Sequence, residues 1–218
     1  FVSAAKKEVS GDIGIEAMTA GPSEVLIVAD KSSNPEWLAS DLLGQAEHDQ
    51  LAQCILISKD KNILEKTKKE IFEQLKNLPR SSIAKKSLMM NGILIYANSD
   101  KKIIEITNKI GPEHLELNVK NYKSFVAKIK NAGSVCLGKY AVMAMTDYGA
   151  PGSNHVLPTD SSSKYSSGLN VSEFMKKISY ITLSKKGIDK LGPSVITLAN
   201  YEGLQGHAQS IIKRIRRK

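Results

Sequence analysis

The stretch IGPEHLEL at 110–117 sets an acid and an imidazole, Glu113 and His114, side by side directly after a Gly-Pro turn. Most adjacent Glu-His pairs are solvated surface neighbours. This pair stands between a helix and a strand, and the chain has only four histidines, His48, His114, His155 and His207. A carboxylate and an imidazole at the mouth of a strand, where α/β sheets take ligands, are suited to proton transfer and water activation. Gln45 and His48 are three residues apart on a helix spanning 35–49 and therefore share a face. An amide oxygen and a ring nitrogen projecting together can serve a borderline metal such as zinc, although an exposed helix end explains the same pair. Asp147, in TDYGAPGSNH, offers a further oxygen ligand on a Gly-bounded loop, with His155 following on that loop. His207 lies in a helical C-terminal region shortly after Glu202. These groups come from separate elements, and spacing alone does not bring them together.

The elements that must position them alternate. EVLIVAD (24–30) is a short apolar run and predicts a buried strand. Asn34-Pro35-Glu36 predicts a helix start, with an N-cap and Pro in the first turn. QCILIS (53–58) predicts a second strand and Lys61 to Lys76 a charged amphipathic helix. A short helix is expected at 81–90, a strand at GILIYA (92–97), and a helix over 100–110 stopped by Gly111-Pro112. LELNV (115–119) predicts a strand, 121–133 a helix ending on Gly133, and SVCLG (134–138) the last strand. This alternation argues an α/β domain with a largely parallel sheet. From Lys139 to Gly168 the pattern dissolves into about thirty residues rich in Gly, Ser, Pro and Asp, and a loop of that length in a compact domain points to function. Beyond it, SEFMKKI predicts a short helix and SYITLSK a strand. Residues 187–218 predict helix interrupted at Gly192-Pro193 and at Gly206.

Composition removes several classes. At 218 residues the chain can bury a full core, and no apolar run approaches the roughly 20 residues of a membrane span. Cys54 and Cys136 sit inside apolar segments as small buried hydrophobes, which suits a reducing compartment such as the cytoplasm. The net charge of +9 invites a nucleic-acid partner. Yet only four of the 31 basic residues are Arg (Arg80, Arg214, Arg216 and Arg217), and a Lys-rich chain with few stacking aromatics reads as a solvated surface. No nucleic-acid or membrane partner is expected. Neither GxGxxG after a strand nor GxxxxGK[ST] occurs, so the chain carries no dinucleotide signature of its own.

In order along the chain, GPSEVLIVAD, SDLLGQAEHD, GPEHLEL, DYGAPGSNHVLPT and EGLQGH resemble the histidinol dehydrogenase family. The resemblance runs from Phe1 to the C-terminus. It implies an incomplete Rossmann-like layer with a mostly parallel sheet and a small, mostly helical C-terminal tail. By the same resemblance, 1–22 ends an NAD-binding domain, 23–167 is a partial catalytic α/β domain, and 168–218 is a tail exchanged between the subunits of a homodimer. The implied activity is oxidation of L-histidinol through L-histidinal to L-histidine with two NAD+ and one zinc per site, in histidine biosynthesis. The resemblance assigns the zinc to Gln45, His48, Asp147 and His207. It makes Glu113 the base that activates water for the aldehyde step and His114 the base that takes the alcohol proton. Ser23 and Glu202 become substrate contacts beside the zinc ligands and His114, and His155 a further active-site residue. Full members carry a substantial N-terminal part holding the NAD contacts, so none is carried over here. The isolated chain is therefore expected to turn over little or no histidinol, to bind zinc weakly to moderately and to expose a strand edge. The competing expectation is an inactive truncated relative that keeps the fold and the dimer surface.

Overall fold

The computed structural model describes residues 1–15, 21–149 and 154–215. Residues 150–153 of the long loop and the basic end at 216–218 lie outside them. The described chain divides into two compact units, Phe1–Met175 and Lys176–Lys218.

The first unit begins with α1 (Val2–Val9) and then alternates β1 (Glu24–Ala29), α2 (Pro35–Ala46), β2 (Gln53–Ser58), α3 (Lys61–Leu75), α4 (Ser81–Asn91), β3 (Gly92–Tyr96), α5 (Asp100–Ile110), β4 (His114–Asn118), α6 (Lys123–Val126), β5 (Ser134–Leu137) and α7 (Met143–Tyr148). The strands form one sheet in the order β3-β2-β1-β4-β5, with every pairing parallel. This is the α/β layer expected from the alternation. β1 and β4 are buried along their whole length; β1 is a near-continuous apolar run, as a strand covered on both faces tends to be, whereas β4 buries His114, Glu116 and Asn118 beside its two leucines. β3 lies at one edge of the sheet, with Ile93, Leu94 and Tyr96 exposed.

Side-chain alternation sends Val25, Ile27 and Ala29 to a core with α2, α3 and α4, while Leu26, Val28, Leu115 and Leu117 pack with Ile103 and Phe125 of α5 and α6. His114 and Glu116 alternate with those leucines and so project toward the α2 side. The expected start and stop signals hold at both helices that bracket the site. Asn34 accepts the Glu36 N–H at 2.9 Å, and Gly111 closes α5 in the left-handed region at φ 63°.

Four expectations are corrected. The helix expected over 121–133 shrinks to Lys123–Val126, because Asn108 of α5 accepts the Lys130 N–H at 2.7 Å and donates to the Lys128 carbonyl at 2.9 Å. A tertiary contact there outbids local helix bonding. The stretch Lys139–Gly168 is not structureless, since it holds α7 and a 3-10 turn at Ser162–Lys164. SYITLSK forms no strand, having no neighbouring strand to satisfy its backbone groups. SEFMKKI yields only a 3-10 turn at Val171–Phe174.

The second unit is a helical hairpin of α8 (Lys185–Tyr201) and α9 (Gln205–Ile215). α8 runs through Gly192-Pro193, where an interruption was expected, and Gly206 lies inside α9. Gly192 is needed there for a different reason: a Cβ would meet Ile211 Cγ2 at 3.0 Å. The break falls instead at Gly203, φ 74°, whose N–H reaches the Asn200 carbonyl while the Leu204 N–H reaches that of Ala199. These are the two closing bonds of a Schellman turn.

Candidate active site

The parallel sheet has two ends, and the site occupies the less usual one. Glu24 begins β1, His114 begins β4, and Gln45 lies in the last turn of α2, which returns the chain to the amino end of the strands. The Glu113-His114 pair was expected at the end where such sheets take ligands, which is the carboxyl end beside the point of strand-order reversal, here between β1 and β4. It lies at the opposite, amino end. At the carboxyl end the loop residues bond to one another. Asp30 accepts the Ser32 N–H at 2.8 Å and the Lys120 N–H at 2.9 Å, and Ser33 Oγ donates to the Asn118 carbonyl at 2.6 Å.

Glu113 and His114 are both buried, 6% and 5% exposed. Glu113 Oε2 accepts the Glu24 backbone N–H at 2.9 Å, and Glu24 Oε2 accepts the Glu113 N–H at 3.3 Å. This reciprocal pair ties the start of β1 to the start of β4 and leaves Glu113 Oε1 facing His114 Nε2 at 3.7 Å, beyond hydrogen-bond length. Burial pushes the Glu113 carboxyl up to about 7, helped by the charges of Glu24 and Asp147 and opposed by hydrogen bonds from the Glu24 backbone and the Ser23 side chain. Burial lowers the His114 pKa, His48 and His155 lower it further, and Asp147 works against them. His114 is therefore a neutral imidazole at pH 7, and its Nδ1 has no partner. An acid poised near neutrality beside a neutral imidazole is a pair able to accept protons.

Gln45 is 1% exposed, yet both its Oε1 and its Nε2 lack a hydrogen-bond partner. A buried primary amide left with neither bond is destabilising unless a ligand completes it. His48 is not on the helix, as expected, but in the turn after it. Its N–H bonds the Gln45 carbonyl at 3.2 Å, which keeps the two residues adjacent. Asp147 sits on α7 and not on an open loop. His155 is exposed, with Nδ1 3.3 Å from the Asp147 carbonyl oxygen. Among the described residues no three His, Cys, Asp or Glu side chains converge as a metal cluster. Glu202 and His207 flank the Schellman turn of that hairpin, and both are exposed.

Two buried acids, Glu24 and Glu116, and the half-buried Asp41 escaped the reading of the sequence. Two had a signal. Glu116 is a charge between the two leucines of HLELN, two residues from His114, and Asp41 stands one helical turn before Gln45.

The sequence model of the histidinol dehydrogenase family matches residues 1–215. The chain belongs to the histidinol dehydrogenase family. It is 74% identical over all its 218 residues to histidinol dehydrogenase of Pelagibacter ubique (strain HTCC1062) and covers 51% of that protein. It is 46% identical to the Listeria monocytogenes serovar 1/2a enzyme of that name over 97% of this chain and 49% of the relative. Histidinol dehydrogenase from Elizabethkingia anophelis, a crystal structure, matches with a TM-score of 0.92 and 41% identity, covering 99% of this chain and 49% of that one. The chain thus spans about half the length of these histidinol dehydrogenases. No described helix is long and apolar enough to cross a membrane.

Proposed function

We propose that this chain provides the metal- and substrate-binding half of a histidinol dehydrogenase, oxidising L-histidinol through L-histidinal to L-histidine with two NAD+. The observation that carries the reading is the buried Glu113-His114 pair beside the unpartnered Gln45 amide at the amino end of the sheet. Gln45, His48, Asp147 and His207 would hold zinc, a donor set of oxygen and imidazole nitrogen suited to a borderline ion. When bound, zinc supplies a template for the imidazole and amine of the substrate. His114, neutral and with its Nδ1 free, accepts the alcohol proton; the nicotinamide, when bound, would supply the hydride acceptor. Glu113, its carboxyl near neutrality, takes a proton from water in the aldehyde step and exchanges protons with His114. Ser23, hydrogen-bonded to Glu113, contacts substrate together with Glu202, while His155 lines the same approach beside Asp147. The reading includes a homodimer in which the second unit completes the partner's site. The exposed Ile178, Tyr180, Ile181, Leu191 and Leu198 support that part, as apolar surface of this extent marks an interface.

Zinc titration of the purified chain is expected to show weak to moderate binding that His48→Ala loses, and unchanged binding in the variant refutes the assigned ligands. A second reading is an inactive truncated relative that keeps fold and dimer surface. Adding the N-terminal half of a full-length relative and following NADH formation with histidinol separates the two. Turnover supports the catalytic reading, and a correctly assembled but silent complex supports the inactive one.

A further inference from the structure

Glu116 is among the most deeply buried side chains of the protein, 1% exposed, and proton transfer by the Glu113-His114 pair gives it no task. It stands two residues after His114 on β4, so both project from one face of the sheet toward α2. Glu116 Oε1 accepts the Met143 backbone N–H at 2.7 Å. Met143 opens α7, and the preceding residue, Val142, provides no side-chain cap. The cap that α7 lacks locally therefore arrives from a strand 27 residues earlier. Asp147 follows Met143 by about one turn, so the place at which Glu116 holds the start of α7 decides where Asp147 presents its carboxylate.

On its other side Glu116 meets Asp41 of α2, carboxyl to carboxyl within hydrogen-bond reach. Asp41 precedes Gln45 by four residues, on the same stripe of the helix. Asp41 Oδ2 and Glu116 Oε2 are buried without any N–H or O–H donor. Two ionised carboxylates in contact in such surroundings repel strongly, and one proton between them removes the repulsion and supplies the missing donor. Burial raises both pKa values, and each carboxylate's charge disfavours ionisation of the other, so the pair favours keeping one proton between them. Cys136, paired in register with Glu116 on β5, is a further ionisable side chain near the pair, and its own pKa is raised by burial and by Glu116, Asp147 and Asp41.

We propose that Asp41 and Glu116 are a proton-sharing carboxyl pair that works as a positioning clamp, fastening α7 to α2 and β4 so that Asp147 is held in place relative to Gln45 and His48. The effect on metal binding rests on the reading of those three residues as ligands, whereas the pair itself does not.

Isotope-edited infrared difference spectra of the 218-residue chain at pH 7, wild type minus Glu116→Gln, are expected to contain the C=O band of a protonated carboxyl. No such band overturns the shared proton. Glu116→Gln keeps an oxygen for the Met143 N–H and offers an N–H to Asp41. It is expected to bind Zn2+ within about twofold of wild type, whereas Glu116→Ala weakens binding about tenfold or more, the range for groups that orient metal ligands. Equal affinity in all three proteins overturns the positioning role, and Asp41→Ala replaces Glu116→Ala in the comparison if the latter does not fold. If the wild-type chain binds no Zn2+, the ligand reading fails by itself and amide NMR decides the clamp. Slow Met143 exchange and unshifted Asp147 resonances are expected in Glu116→Gln and lost in the alanine variant, and their persistence in the alanine variant overturns it.

Discussion

Replacing Glu113 by Gln is expected to make the chain more stable at pH 8 than it is with its own residue. The Glu113 carboxyl moves from 4.5 to about 7 on folding, so the folded state prefers it protonated. A carboxyl whose folded pKa is raised favours the native state fully below its unfolded pKa and loses that contribution as pH rises through the folded value. With 1.36 kcal/mol for each unit, the full loss is about 3.4 kcal/mol, of which about 2.5 falls between pH 5 and pH 8. Gln cannot ionise, and its oxygen can still accept the Glu24 N–H now bound at 2.9 Å. The packing change is common to both pH values and cancels in the difference. Urea unfolding followed by the fluorescence of Trp37, the single tryptophan, measures it. At a slope of about 2 kcal/mol per molar, the gap between variant and wild-type midpoints should widen by about 1.2 M from pH 5 to pH 8. A gap that stays constant with pH, or narrows, refutes the raised carboxyl and with it the assignment of Glu113 as a base poised at neutrality. The prediction also expresses a trade-off, since the burial that tunes the acid is what destabilises the fold.

Two further outcomes follow from the same geometry. Burial pushes both thiols, Cys54 and Cys136, up to about 12, so a disulfide reagent at pH 8 should leave both unmodified in the native chain and react promptly in urea; fast native reaction of either contradicts its burial. Gly111→Ala is expected to destabilise by about 1–2 kcal/mol in the same urea assay, because an L-residue is strained at its positive φ. An added Cβ would also meet Ser163 Oγ at 2.9 Å, so an unchanged midpoint would refute the tight turn that aims Glu113.

The layer architecture was legible because short apolar runs separated by amphipathic segments have few other solutions. The strands at 24–29, 53–58 and 92–96 were legible to within a residue as apolar runs, and the caps at Asn34 and Gly111 directly, since a cap depends on neighbours within a turn. The helix over 121–133 could not. Its backbone is captured by Asn108 from another element, which no local pattern announces. SYITLSK had strand character but no partner strand, and character without a partner yields no strand.

The same division runs through the site. Residue types and order alone singled out Glu113, His114, Gln45, His48 and Asp147, because few side chains move protons or bind metals and these stand in segments resembling one family. Only the folded chain put the acid-imidazole pair at the amino end of the sheet, buried it enough to bring a carboxylic acid to neutrality, and set Glu24, Asp41 and Glu116 around it. Chemical identity is a property of each residue. Solvation and the distance between charges belong to the three-dimensional arrangement, and those two quantities decide what a carboxyl group does at pH 7.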